Sequence, residues 1–280
     1  MAFLKAAEPV GNPLAVSLPM TTSRQITIFI LSCFFANGQT LNQKFIDSIR
    51  TYGIIDGNVV DAPNNCYKYD CSSVWAFNDS IGRPLGFIGD KYQRIEVIIL
   101  KSSRSKMNEH EYLVSGKSRV KDNICSFKGV MTVKKIFLNK EMRFGVDSMY
   151  KDSGFKEQCM TVGTYRFFED TSKKHSGIFE GTFASRWFVD KAGNVKYDNI
   201  ESGSDTYWNN AFVGTWTEHK SHESKICNWG DHRIMYSGDL DIGAGEFSPN
   251  PKYRANGWQT FVDALNGDFK AREHKETKWW

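Results

Sequence analysis

Residues 216–247, WTEHKSHESKICNWGDHRIMYSGDLDIGAGEF, hold the densest set of groups capable of chemistry in the chain. His219 and His222 reach a common metal ion if the backbone between them turns like a helix; along a strand their spacing puts them on opposite faces. Cys227, Asp231 and His232 follow closely and are also of transition-metal-binding types. Asp239, Asp241 and Glu246 supply hard oxygen ligands, and the glycines among them allow a turn that could wrap calcium. His219, His222, Asp239 and Asp241 therefore form the candidate metal set. The full calcium-loop spacing is absent, and solvent-facing histidines with turn carboxylates are the simpler alternative. A candidate catalytic set overlaps it: Asp231, Asp239 and Glu246 as acid and base partners, with His232 as a proton carrier near neutral pH.

Other chemistry has no signature here. There is no Gly-x-Ser-x-Gly elbow, no His-Glu-x-x-His and no glycine-rich phosphate loop leading to Lys-Ser/Thr, and no motif assigns a cofactor. The net charge of +4 comes from 36 basic and 32 acidic residues mixed along the chain, which argues against a nucleic-acid partner. No apolar stretch reaches the length of a transmembrane helix.

Aromatic residues give a second kind of candidate. Trp75, Trp208 and Trp229 fall in polar, loop-like settings and could form a stacking platform for a sugar or other ligand. The alternative is that they pin loops onto the fold. Phe179 and Phe183 alternate along a strand-like run and would line a hollow interior if one exists. Phe179, Phe183, Trp208 and Trp229 are the candidate ligand-binding residues.

The elements that must position these groups are mostly strands. Runs 92–100, 126–138, 159–170, 176–190 and 210–220 are strand-like, and 109–120 is weaker. DKAGN at 190–194 reads as a hairpin turn. Within 178–189, Phe179, Gly181, Phe183 and Trp187 share one face, while Glu180, Thr182 and Arg186 take the other. Gly163-Thr164-Tyr165, Gly181-Thr182-Phe183 and Gly214-Thr215-Trp216 repeat one pattern, a strand glycine beside a bulky aromatic. Glycine there permits the tight bends that sheet closure needs. The expectation is a mainly β fold: an antiparallel meander forming a barrel or strongly curved sheet, with short peripheral helices. A flat two-layer sandwich is the alternative, and the lack of long helices between strands excludes a βαβ plan.

The expected organisation has four parts. Residues 1–38 form an N-terminal extension and export signal, 39–90 a helix and irregular segment, 91–250 the barrel-like domain, and 251–280 a C-terminal helix and polar tail. The tail ends in Trp279-Trp280, expected to be exposed and sticky. Gly-Thr-Trp at 214–216, with Gly-Thr-Phe and Gly-Thr-Tyr in neighbouring strands, resembles the Gly-x-Trp of the calycin group, the lipocalins and avidins. That resemblance implies an antiparallel barrel around a small apolar ligand. In lipocalins the motif lies near the first strand; here it comes late, so the similarity is one of barrel type.

Ile26 to Ala36 is an apolar run of about the length of a signal-peptide core, preceded by Arg24 and followed by Ala36-Asn37-Gly38, which would direct a cut before Gln39. The Phe-Ala-Asn-Gly-Gln end resembles export signals of Bacteroidetes. An amphipathic helix or edge strand is the alternative. A secreted or periplasmic location makes disulfides possible. Cys66–Cys71 could close a short loop and Cys125–Cys159 could join two strands, leaving Cys227 over. The expected function is an exported barrel-like binding protein for a small or glycan-like ligand or an envelope partner. Its alternatives are a secreted hydrolase using residues 218–246 and a structural or interaction protein without a pocket. A hollow barrel open beside Trp208 or Trp229 would favour binding; convergence of Asp231, His232, Asp239 and Glu246 in a cleft would favour catalysis.

Overall fold

The computed structural model describes residues 43–47, 49 and 59–280, apart from the side chains of 274–276. All of these belong to the compact unit Asn37–Trp280. The apolar run 26–36, the expected cut before Gln39 and Cys33 lie outside the described residues.

Alternation of apolar and polar residues builds an antiparallel sheet. Its strands are β1 (Val59–Asp61), β2 (Leu85–Ile88), β3 (Gln93–Arg94), β4 (Glu96–Arg104), β5 (Glu111–Val120), β6 (Asn123–Asn139), β7 (Glu157–Glu169), β8 (Gly177–Val189), β9 (Val195–Tyr197), β10 (Asn209–Glu218) and β11 (Ser224–Asp231). The order across the sheet is β3-β2-β11-β10-β8-β7-β6-β5-β4, a meander curled as a half-barrel over its core. The two ends of that order, β3 and β4, are successive pieces of one run of chain separated only by Ile95, whose N–H donates to Gly86. Short β1 and β9 extend the ladder where β5 leaves β6 and β10 leaves β8. The 190–194 turn forms as the residues dictate, with Asp190 and Asn194 paired and Gly193 at a φ of +91°.

The repeated glycines make room for rings on the next strand. Gly163 stands opposite Phe183, and a Cβ there would fall onto that ring and onto the Thr132 carbonyl. Gly181 and Gly214 are paired, and the Tyr165 hydroxyl lies across both. The inner face is therefore packed with aromatics. Phe127 stacks on Phe167 at 5.0 Å, Phe212 stacks on Trp229 at 4.7 Å, and Phe179 meets Trp229 edge-on at 5.7 Å.

One end of the curl is plugged by residues 62–76, which the sequence reading leaves irregular. They contain a 3-10 turn and the short helix α1 (Ser72–Trp75). Trp75 drives into the core against Tyr112 and Phe183, and its indole N–H donates to Ser185 at 2.8 Å. At the other end Glu169 is buried, accepting from the Trp216 indole at 2.9 Å, from the Gly177 N–H at 2.7 Å and from the Ser118 hydroxyl.

The outer face is covered in two places. Phe45 and Ile49, from a helical stretch, pack on Phe137, Met160, Val162, Ala184, Ala211 and Val213. The C-terminal helices α2 (Gln259–Leu265) and α3 (Phe269–Glu276) follow a turn that seats Trp258 with Leu85, Phe87, Leu240 and Phe247.

Several expectations are corrected. Cys66, Cys71, Cys125, Cys159 and Cys227 are all free thiols, and all are buried. The β6–β7 register sets Cys159 opposite Leu138, thirteen residues along β6 from Cys125. That is roughly 40 Å of strand, far beyond disulfide reach. The Cys66 thiol points to the Asn65 side chain and that of Cys71 to the Tyr69 carbonyl, so the short loop is not cross-linked either. Trp75 and Trp229 are core residues rather than a surface platform. Phe179 and Phe183 are wholly buried among other rings and line no chamber. The Trp279-Trp280 tail docks instead of hanging free: Trp279 lies over Arg119 at 4.8 Å, Trp280 over Arg83 at 4.9 Å and against Phe77 at 4.9 Å.

Candidate functional site

Because the curl is filled, space for a ligand lies outside it. Beside the plugged end a cleft of about 600 Å³ opens between the start of β7, the end of β8, the 198–208 segment and residues 233–241. Its aromatic wall is Tyr207, Trp208 and Tyr236.

Two arginines in this cleft are held in the same way. On β8 the strand alternation that sends Trp187 inward sends Arg186 outward. Its peptide is gripped by the fully buried Asn209, whose Oδ1 accepts from the Arg186 N–H at 2.6 Å while Nδ2 donates to the Arg186 carbonyl at 3.0 Å. The guanidinium then lies 4.3 Å from the Trp208 ring centre and 5.9 Å from that of Tyr207. The peptide of Arg143 is gripped by buried Gln158 through the same two bonds, at 2.6 and 3.0 Å. A buried carboxamide with both ends satisfied fixes a backbone at little entropic cost.

The acids of the cleft mostly have local partners. Asp198 accepts from the Ile200 N–H at 3.0 Å, and burial pushes its pKa up. Glu201 accepts from the Gly145 N–H at 2.8 Å and the Ser204 hydroxyl at 3.1 Å. Asp241 faces Arg233 at 3.4 Å and caps a turn through the N–H groups of Gly243 and Ser248. Arg186, by contrast, forms no ion pair or side-chain hydrogen bond among the described residues.

Beneath the plug lies a smaller cavity of about 30 Å³, room for about one water. Asp231 borders it. Burial pushes this carboxyl up to about 7, against the pull of Asn210 Nδ2 at 2.9 Å and of the Tyr197 hydroxyl.

The residues singled out from the sequence are spread over several places. Asp231 faces the small cavity, whereas His232 and Glu246 share a recess of about 230 Å³ on another side. There the His232 ring meets Tyr207 edge-on at 4.9 Å, and burial lowers its pKa while Glu246 raises it. Asp239 is exposed, paired with Lys252 and the Tyr253 hydroxyl, which hold its pKa down. The four candidate catalytic residues thus do not converge. His219 lies at the Glu169 end, its Nε2 3.2 Å from the Glu169 carbonyl, and His222 sits in the following turn at a φ of 59°. Asp239 and Asp241 are elsewhere, in the 239–250 turn. Among the described residues no group of three or more His, Cys, Asp or Glu is placed to hold a metal ion. Of the four ligand-binding candidates, only Trp208 lines the large cleft.

Sequence reasoning missed Arg143, Gln158, Asn209 and Tyr236, and it read Arg186 only as an outward strand position. The Trp208-Asn209-Asn210 run before a strand was the available signal, since buried asparagines need partners and hold backbones. Comparison with protein-family models, curated proteins and solved structures gave no match.

Proposed function

We propose that this chain is a binding protein for a small, glycan-like ligand, and that the ligand sits in the cleft beside the plugged end rather than inside the curl. The observation that carries this reading is the 600 Å³ cleft with half-buried Trp208 on its wall. An amphipathic ring with an indole N–H free of protein partners among the described residues offers both a stacking edge and a donor to a hydroxylated ligand. Membership of the calycin group is part of the proposal, supported by the curled antiparallel meander and its Gly-x-aromatic strands. A filled interior would make this a departure from the central ligand chamber that the resemblance implies. Export is proposed on the apolar run 26–36 alone, and the mass of the protein released from cells tests it: intact Met1 would count against a cut before Gln39.

The test of binding is a screen of neutral and charged mono- and oligosaccharides by proton–nitrogen NMR, following the eight tryptophan indoles. Shifts centred on Trp208, abolished in Trp208→Ala with the fold retained, are expected. Shifts confined to other tryptophans would overturn the assignment of the cleft.

A further inference from the structure

Asp231 is a buried acid with no cation beside it. At the end of β11 it is 6% exposed, and among the described residues it forms no ion pair. The groups that favour its charge are neutral: Asn210 Nδ2, which donates to it at 2.9 Å, and the Tyr197 hydroxyl. The other end of the same amide, Asn210 Oδ1, is buried and has no hydrogen-bond partner among the described residues. Both residues border the cavity of about 30 Å³ beneath the plug, and Trp75, Phe77, Phe212 and Trp229 are among its walls. A carboxylate taken out of water favours a nearby cation, and aromatic rings attract one as well. An unpaired amide oxygen asks for a donor.

The charges of the surrounding elements are engaged elsewhere. Arg83, on the loop that forms the outer wall, is turned to Glu96 at 3.8 Å and to the Thr277 carbonyl at 2.8 Å, and Asp79 on the same loop pairs with Lys278 at 3.3 Å. Beyond Asp231, Arg233 faces Asp241 and the His232 ring lies against Tyr207. Tyr207 spends its hydroxyl on the Asp198 carbonyl, and it is neutral near pH 7, as is Tyr197. A neutral hydroxyl in the cavity would satisfy Asn210 Oδ1 but give the carboxyl no countercharge. An ammonium group is about the size of the one water that the space admits, and it carries donors for both acceptors. Residues 78–83 of the outer wall make no backbone hydrogen bond to the sheet among the described residues, so this is the wall that can move to admit it.

We propose that this cavity is a second site, for a small ammonium-type cation, the free ion or the head of a primary amine, which donates to the Asp231 carboxylate and to Asn210 Oδ1 against the rings of Trp75 and Trp229. The site shares no lining residue with the large cleft and does not depend on what the cleft binds.

Four probes test it: ammonium chloride, methylammonium chloride, potassium chloride and methanol, each titrated into the full chain at constant ionic strength. NMR follows the indoles of Trp75 and Trp229 and the carboxyl carbon of Asp231. Burial raises this carboxyl to about 7, so it is ionised at pH 8 and protonated at pH 5.5. At pH 8 ammonium or methylammonium is expected to shift all three signals; at pH 5.5, where a proton holds the acid, binding should be about tenfold or more weaker. The stronger of the two separates the free ion from an amine head. Asp231→Asn keeps the shape without the charge and should abolish the response. If that variant does not fold, the pH dependence of the wild type decides instead, and equal binding at the two pH values overturns the inference. Methanol moving the indoles as far as the amines, or potassium binding as tightly as ammonium, would also overturn it. So would a response that persists in Asp231→Asn, shifts centred on Trp208, or silence from all four probes.

Discussion

Tyr165 brings a hydroxyl into the most apolar part of the molecule, across Gly181 and Gly214, where it finds no hydrogen-bond partner among the described residues. Removing an unpaired buried hydroxyl without changing ring shape removes a desolvation cost. Tyr165→Phe should therefore leave stability unchanged or raise it by about 1 kcal/mol in urea denaturation; a loss of that size would mean the hydroxyl has a partner. Asp231 gives a pH-dependent case. Its folded-state carboxyl is raised from 3.8 to about 7 by burial, so the folded chain keeps a proton that the unfolded chain releases. Stability from this group is full below pH ~4, falls as pH rises toward ~7 and then levels, by at most about 4 kcal/mol. Asp231→Asn should gain on the wild type between pH 5 and pH 8 when both are unfolded in urea. A gap that is constant across that range would refute the assignment.

At the scale of elements, the strands were legible because their alternation is strong. In β8, Phe179, Phe183 and Trp187 announce the inner face and Arg186 the outer. β11 was not legible: SKICNWGD buries Asn228 and Asp231 alongside Cys227 and Trp229, so its pattern reads as polar loop. Asn228 is tolerated there because its side chain accepts from the Gly214 N–H at 3.1 Å and donates to the Met235 carbonyl at 3.1 Å. The plug was hidden for a different reason. Cys66, Cys71, Val74 and Trp75 have no period, and only the tertiary fold reveals that they face one core. The cleft was hidden because its clamps join residues 15 and 23 positions apart, Gln158 to Arg143 and Asn209 to Arg186. Trp75→Ala should cost about 3–5 kcal/mol, since it empties a core site and strands the Ser185 hydroxyl. A loss below about 1 kcal/mol in denaturant titration would show that the plug is only loosely attached.

At the scale of the whole molecule, the thiols of the described residues are kept out of reach. All five described cysteines are at most 3% exposed, and burial pushes their pKa values up, Cys125 to about 11 and Cys71 to about 12. A thiol that stays protonated and inaccessible is unreactive. In a Cys33→Ser variant, Ellman's reagent at pH 8 should label none of them rapidly in the native state and all five after unfolding in denaturant without reductant. Three or fewer after unfolding would reveal a cross-link and overturn the free-thiol assignment.

The shared run of chain at the two ends of the sheet has a further consequence, one of time. β2 is among the first strands to be synthesised, yet its long-term neighbour β11 ends at Asp231, far downstream. At ribosomal speeds of about 5–20 residues per second the wait is on the order of ten seconds. Throughout it, β2 has its β3 hairpin and its neighbour β4 but lacks the β11 edge partner, and the outer apolar surface that α2 later covers is open. A nascent chain stalled in that interval would present an unpaired strand edge, the kind of edge that templates pairing with another chain.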